Sequence, residues 1–170
     1  MIVVADASPL NYLIQIESDQ LLHTLFGKVL IPAAVIDELH NPMAPRMVSS
    51  WVSQLPSWIE IRTVATAPDA SLGVLDLGER EAILLAQETH ADLLLIDEKR
   101  GRLEARSRGI TTTGTLGVLL TAANEGLVDA ADAFQRLVSQ TSFRATTELR
   151  ASFLANCKRQ KDKGGITSHQ

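Results

Sequence analysis

Four carboxylates from distant parts of the chain stand where they could act together. Asp6 follows the apolar run IVVA (2–5), and Asp97 follows LLLI (93–96). Glu38 falls on a helical stretch that leaves the apolar segment KVLIP (28–32), and Glu79 falls in the first turn of a helix beginning near residue 77. In open parallel sheets, ligands bind outside the carboxyl ends of the strands. Acids gathered there suit a hard divalent cation, Mg2+ or Mn2+, which takes oxygen ligands and leaves room for water and a substrate phosphate. Crowded carboxylates repel one another unless a cation neutralises them. An ion so held can deprotonate a water and stabilise an in-line displacement at phosphorus, with no histidine or cysteine nucleophile.

Each acid also has a purely structural reading. Asp6, ahead of Ala7-Ser8-Pro9, suits a helix N-cap, and Asp97 suits one ahead of Lys99. Glu38 could be a solvated helical glutamate. Glu79 could complete a capping box with Asp76.

The elements that would position these acids alternate between strand and helix. IVVA (2–5) reads as a buried strand, followed by a helix from about Pro9 to Leu25. A second strand at 28–32 leads through Pro32 into a helix ending near His40, and NPMAPRM (41–47) is a proline-punctuated loop before another helix. WIEIRTV (58–64) alternates like a strand, and 65–73 is loop. A helix (77–90), a strand (92–97), a basic helix (99–108), a short strand (109–114) and an apolar helix (115–125) follow, with helical sequence from about 129 onward. Several strands are apolar throughout, which indicates a mostly parallel sheet covered on both faces. The expected fold is a three-layer α/β/α sandwich with five strands. It would form a single domain over 1–157, followed by a polar tail (158–170).

The bulk composition agrees with such a domain. Of 170 residues, 45% are hydrophobic and 4% aromatic, so the core must be built mainly of Leu, Ile, Val and Ala. The single Cys157 excludes a disulfide framework and a cysteine-rich zinc site. No stretch approaches a membrane span, and MIVVADASPL lacks the basic start of a signal peptide, so a soluble cytoplasmic protein is expected. The net charge of −4, from 20 acidic and 16 basic side chains, argues against coating nucleic acid by bulk positive charge. It is compatible with a nucleic-acid enzyme whose metal-binding carboxylates enter the tally.

At these residues the chain resembles the PIN-domain ribonucleases, especially the VapC-like toxins of toxin–antitoxin pairs and PIN-like relatives of unassigned role. VVADASPL resembles the first motif, which implies Asp6 as a metal ligand supported by Ser8. IPAAVIDEL resembles an IP..V..E motif that places the acid at Glu38 rather than Asp37, and LLLIDEKRGR resembles the strand delivering the late acid, Asp97. TGTLGVLLTAANEGLV (113–128) resembles a PIN-like subgroup, so the likeness spans about residues 2–128. Two departures stand out. Leu95 and Ile96 occupy the region where the family often has Thr or Ser before the late acid. A glutamate also takes the third position, where Asp is common. The resemblance implies a Mg2+- or Mn2+-dependent endoribonuclease acting on RNA, a homodimer, and, if VapC-like, a cognate antitoxin. The apolar helices at 115–125 and 130–138 are compatible with dimerisation.

Within LDLGEREAILLA (75–86), Glu79 and Glu81 point about 200° apart on a helix. Ala82, Ile83 and Ala86 mark the packed face, which Glu79 shares, so Glu81 is expected to face solvent. The eighteen positions from Glu79 to Asp97 also resemble the family's spacing of third and fourth acids. Beyond Asp97, the cations Lys99, Arg100, Arg102, Arg106 and Arg108 form either a solvated helix face or a phosphate-gripping patch, with Lys99, Arg100 and Arg102 nearest the acid. The four histidines form no spaced ligand pair. Two rival readings remain: a metal-dependent phosphoesterase acting on DNA or a small phosphoester, and a non-catalytic α/β binding module whose acids are caps.

Overall fold

The computed structural model describes residues 1–164, with side chains through Cys157. Five strands form one sheet in which every pairing is parallel: β1 (Val3–Ala5), β2 (Val29–Pro32), β3 (Ile59–Arg62), β4 (Leu93–Leu95) and β5 (Thr112–Thr113). Their order is β3-β2-β1-β4-β5. The chain therefore winds one way from β1 to β3, then crosses back to lay β4 on the other side of β1. That reversal between β1 and β4 is the topological switch point, where sheets of this kind open a crevice at their carboxyl ends.

Side-chain alternation divides the strands between two cores. Val3, Ala5, Val29, Ile31 and Leu95 join one apolar cluster, while Val4, Leu30, Leu94 and Ile96 join the other. All but Leu30, at 8%, are fully buried, which is why these strands are apolar at every position rather than at every second one. The first face is covered by α1 (Ala7–Gln15), α2 (Gln20–Phe26), α3 (Ala33–Leu39), α4 (Arg46–Ser53), α7 (Thr115–Asn124), α8 (Ala130–Gln140) and α9 (Thr147–Gly164). The second is covered by α5 (Leu77–Glu88) and α6 (Lys99–Ser107). The result is a three-layer sandwich, as expected, with a sheet that is wholly rather than mostly parallel.

Three local differences have clear causes. The expected helix from Pro9 to Leu25 is two helices, because Glu17 takes φ 55° and the Ser18 amide turns back to the Leu13 carbonyl. The 65–73 loop ends in a 3₁₀ turn, Ala70–Val74, capped by Asp69. Of the expected polar tail, 158–164 continue α9, and 165–170 lie outside the described residues. The apolar side of α7 packs within the chain against α1, α2, α8 and α9. Among the described residues no helix is long and apolar enough to cross a membrane.

Candidate metal centre

The Asp6 backbone N–H donates to the Leu95 carbonyl at 2.9 Å, continuing the β1–β4 ladder beyond the strand and fixing Asp6 at the switch point. Asp6 occupies the N-cap position of α1, yet its side chain caps nothing. The residue is 3% exposed, and its Oδ1 is buried without a hydrogen-bond partner among the described residues. Burial raises its carboxyl pKa to about 8, with the Glu38, Asp76 and Glu79 carboxylates adding to the shift and the Ala7 amide opposing it. An orphaned buried carboxylate oxygen is costly. The simple capping reading of Asp6 does not account for it.

Gly78, in the first turn of α5, shows how closely the acids gather. A Cβ there would lie 2.7 Å from Glu38 Oε2, 3.4 Å from Asp6 Oδ1 and 3.6 Å from Asp76 Oδ1. The sheet delivers Asp6, α3 delivers Glu38, and the approach of α5 over both requires a residue without a side chain. Glu38 is raised by burial and then by Asp76, and Glu79 is raised by the same two causes first. Asp76 itself was foreseen only as a cap. Nothing local marks it as part of the cluster, because its neighbour Glu38 lies far back in the sequence.

Glu79 is buried, on the side of α5 expected for it. It also fulfils its structural reading. Asp76 Oδ1 accepts from the Glu79 amide at 2.8 Å, and Glu79 Oε2 accepts from the Asp76 amide at 3.2 Å, closing a capping box. Glu81 does not face open solvent as expected. It is half-buried, and its Oε2 accepts from the Ala34 amide at 3.2 Å, docking α5 on the first turn of α3.

Burial raises the Asp97 pKa, while hydrogen bonds from Thr115 and the charge of Arg102 oppose the rise. Its Oδ1 accepts from the Thr115 amide at 2.8 Å and its Oδ2 from the Thr115 hydroxyl at 2.7 Å. Asp97 thus caps α7 rather than α6, whose N-cap is Glu98. The hydroxyl missing ahead of the late acid is supplied from the far side of β5, by the fully buried Thr115. The TGTLG sequence carried the signal, but only the sheet order brings it to Asp97. Ser8 makes no hydrogen bond to Asp6; it lines a cleft beside Glu38 instead.

The basic helix is only partly available to a substrate. Arg102 donates to the Asp97 backbone carbonyl. Arg106 donates to Thr112 Oγ1 at 3.0 Å, and Arg108 bridges Asp69, Ser71, Gln87 and Glu104. Lys99 and Arg100 are exposed and make no ion pair among the described residues.

The donors suit a hard divalent cation: they are all oxygen, those of Asp6, Glu38 and Asp76 gather around Gly78, and the buried Asp6 Oδ1 has no hydrogen-bond partner among the described residues. The set is not closed as it stands. Among the described residues, no three His, Cys, Asp or Glu side chains are already arranged to hold an ion together. Glu79 would offer its second oxygen or release the Asp76 amide.

Residues 2–159 match the family DUF3368, described as a PIN domain. The chain belongs to the PIN-domain family. Among solved structures, this PIN-domain protein is similar to a PilT N-terminus domain protein from the hyperthermophilic archaeon Sulfolobus solfataricus P2. The identity is 16% and the TM-score 0.50, over 85% of this chain and 100% of the other, a likeness of fold. No curated protein matches the PIN-domain chain. PIN domains have a nuclease-type fold and typically depend on a divalent metal, and PIN-domain nucleases act on nucleic acids.

Proposed function

We propose that this PIN-domain protein is a Mg2+- or Mn2+-dependent endoribonuclease. The observation that carries the reading is the buried, unpartnered Asp6 Oδ1 at the β1–β4 switch point, facing Glu38 across Gly78. Asp6, Glu38 and Glu79 would hold the ion, with Asp97 at the margin. The bound ion would supply Lewis acidity to the scissile phosphate and lower the pKa of a water. Asp6, raised to about 8 by burial and like charge, would give up its proton on holding a cation. Thr115 holds both Asp97 oxygens, so that carboxylate keeps one orientation while substrate comes and goes. Lys99 and Arg100 would draw in the phosphate backbone, with Arg102 stiffening the end of β4 beside them.

Purified protein should cleave RNA with Mn2+ and lose that activity as Asp6→Asn. Activity retained in EDTA, or in the variant, would sink the mechanism. The resemblance to VapC-like toxins supports a growth-inhibiting cytoplasmic toxin paired with an antitoxin, and a homodimer. A small DNA-binding antitoxin encoded immediately upstream would support the pairing.

One rival draws on a specific observation. The capping box at Glu79 and the cap that Asp97 places on α7 are what a non-catalytic α/β module would need. That reading predicts no thermal shift with Mn2+, since only a ligand that binds the folded state raises stability.

A further inference from the structure

A cleft of about 260 Å³ lies between α1 and the α3–α4 connection, and Glu38 forms part of its wall. It is smaller than a pocket for a drug-sized ligand. Ser8, Asn11, Asn41 and Met43 also line it. Asn41 Oδ1 accepts from the Met43 amide at 2.8 Å, which fixes the oxygen and leaves Nδ2 as the group offered to a ligand. Asn11 Oδ1 accepts from Gln15 Nε2 at 3.2 Å, again leaving its Nδ2. Neither Nδ2 donates to any partner among the described residues. Met43 is 90% exposed at the rim, where its flexible thioether is free to lie against a ring entering the cleft.

The geometry points to a nucleobase subsite that selects keto bases, uracil and guanine, for a nucleotide whose phosphate would sit at the cation the carboxylates hold. This rests on the nuclease reading for where the phosphate sits, but it makes its own claim about the base. Two amide NH2 groups meet the carbonyl acceptors of uracil (O4) and guanine (O6). Adenine and cytosine carry amino donors at the corresponding edge, so donor would face donor and neither hydrogen bond would form. The Met43 thioether lies against the ring without discriminating among bases, so the preference comes from the amides.

The test measures binding without cleavage. Wild-type protein is titrated with uridine, guanosine, adenosine and cytidine 5′-monophosphates, and side-chain amide shifts are followed by NMR. Uridine and guanosine monophosphates should bind about tenfold more tightly than the other two, and the Asn41 Nδ2 signal should move. Asn41→Asp keeps the oxygen that receives the Met43 amide and turns the presented donor into an acceptor. It should shift the ranking toward adenosine and cytidine monophosphates. No binding, equal binding of all four, or an unchanged ranking in Asn41→Asp would overturn the subsite. A protein that shows the ranking yet cuts no RNA would refute the nuclease reading alone.

Discussion

Gly78→Ala separates the stability of the fold from the function of the carboxylates. Gly78 sits in the first turn of α5, where a Cβ would meet Glu38 Oε2 at 2.7 Å and Asp6 Oδ1 at 3.4 Å. The closer contact is too short to keep, but Glu38 Oε2 is the far end of a flexible side chain on an exposed residue. Glu38 can therefore swing away while the backbone stays in place. Alanine is the better helix former by up to about 1 kcal/mol, less in the first turn, so the variant should fold as stably as wild type or slightly better. For a chain of this size, that is a rise of at most about 2–4 °C in Tm. Metal affinity should move the other way. Displacing Glu38 and crowding Asp6 should cost about 10- to 100-fold in Mn2+ affinity, the range seen when the surroundings of a metal site are disturbed. The assay is a Mn2+ titration by calorimetry, paired with thermal unfolding in EDTA. A variant that folds normally and binds Mn2+ with wild-type affinity would refute the idea that these oxygens share an ion.

Between its ordinary value of 3.8 and about 8, folded Asp6 keeps a proton that the unfolded chain has lost. In EDTA, stability should therefore fall as pH rises through that window, by up to about 1.4 kcal/mol per pH unit from this group, and level off above it. Asp6→Asn should flatten the fall and be more stable than wild type near pH 8, as read by urea midpoints against pH; a steeper fall in the variant would contradict the assignment. Thr115→Val leaves Asp97 Oδ2 without its hydroxyl partner and should cost about 1–3 kcal/mol in urea unfolding. Glu81→Gln should be nearly silent, because its amide oxygen can still receive the Ala34 N–H, whereas Glu81→Leu should lose about 1 kcal/mol by the same measurement. Arg108→Ala should free the 3₁₀ turn at Ala70–Val74, seen as faster limited proteolysis there, with the rest of the chain protected.

The layering was legible because burial on both faces forces strands such as VVA and LLL to be apolar at every position. Asp6 and Asp97 were legible as strand-end acids for the same reason: each interrupts an apolar run. Glu79 was legible by face, since it lies one turn ahead of Ile83 on the buried side of α5. The partners of these acids were not. Asp76 meets Glu38 only because α5 crosses α3 at Gly78, and Thr115 reaches Asp97 only because β5 lies next to β4. Glu81 looked solvent-facing on its own helix because the surface it touches belongs to another helix. The break after Ile16 was hidden because Glu17, an ordinary helix former, takes a left-handed backbone with no glycine to announce it. Contacts of this kind come from topology, and local periodicity carries no trace of them.

The most direct test of the central claim is RNA cleavage by the full chain as Mn2+ is added to chelator-treated protein, run beside Asp6→Asn. Wild-type activity should rise with Mn2+ and disappear on adding EDTA. Asp6→Asn should remain folded yet inactive at every metal concentration. Cleavage by wild type that ignores Mn2+ and EDTA alike, or undiminished cleavage by Asp6→Asn, would contradict that claim.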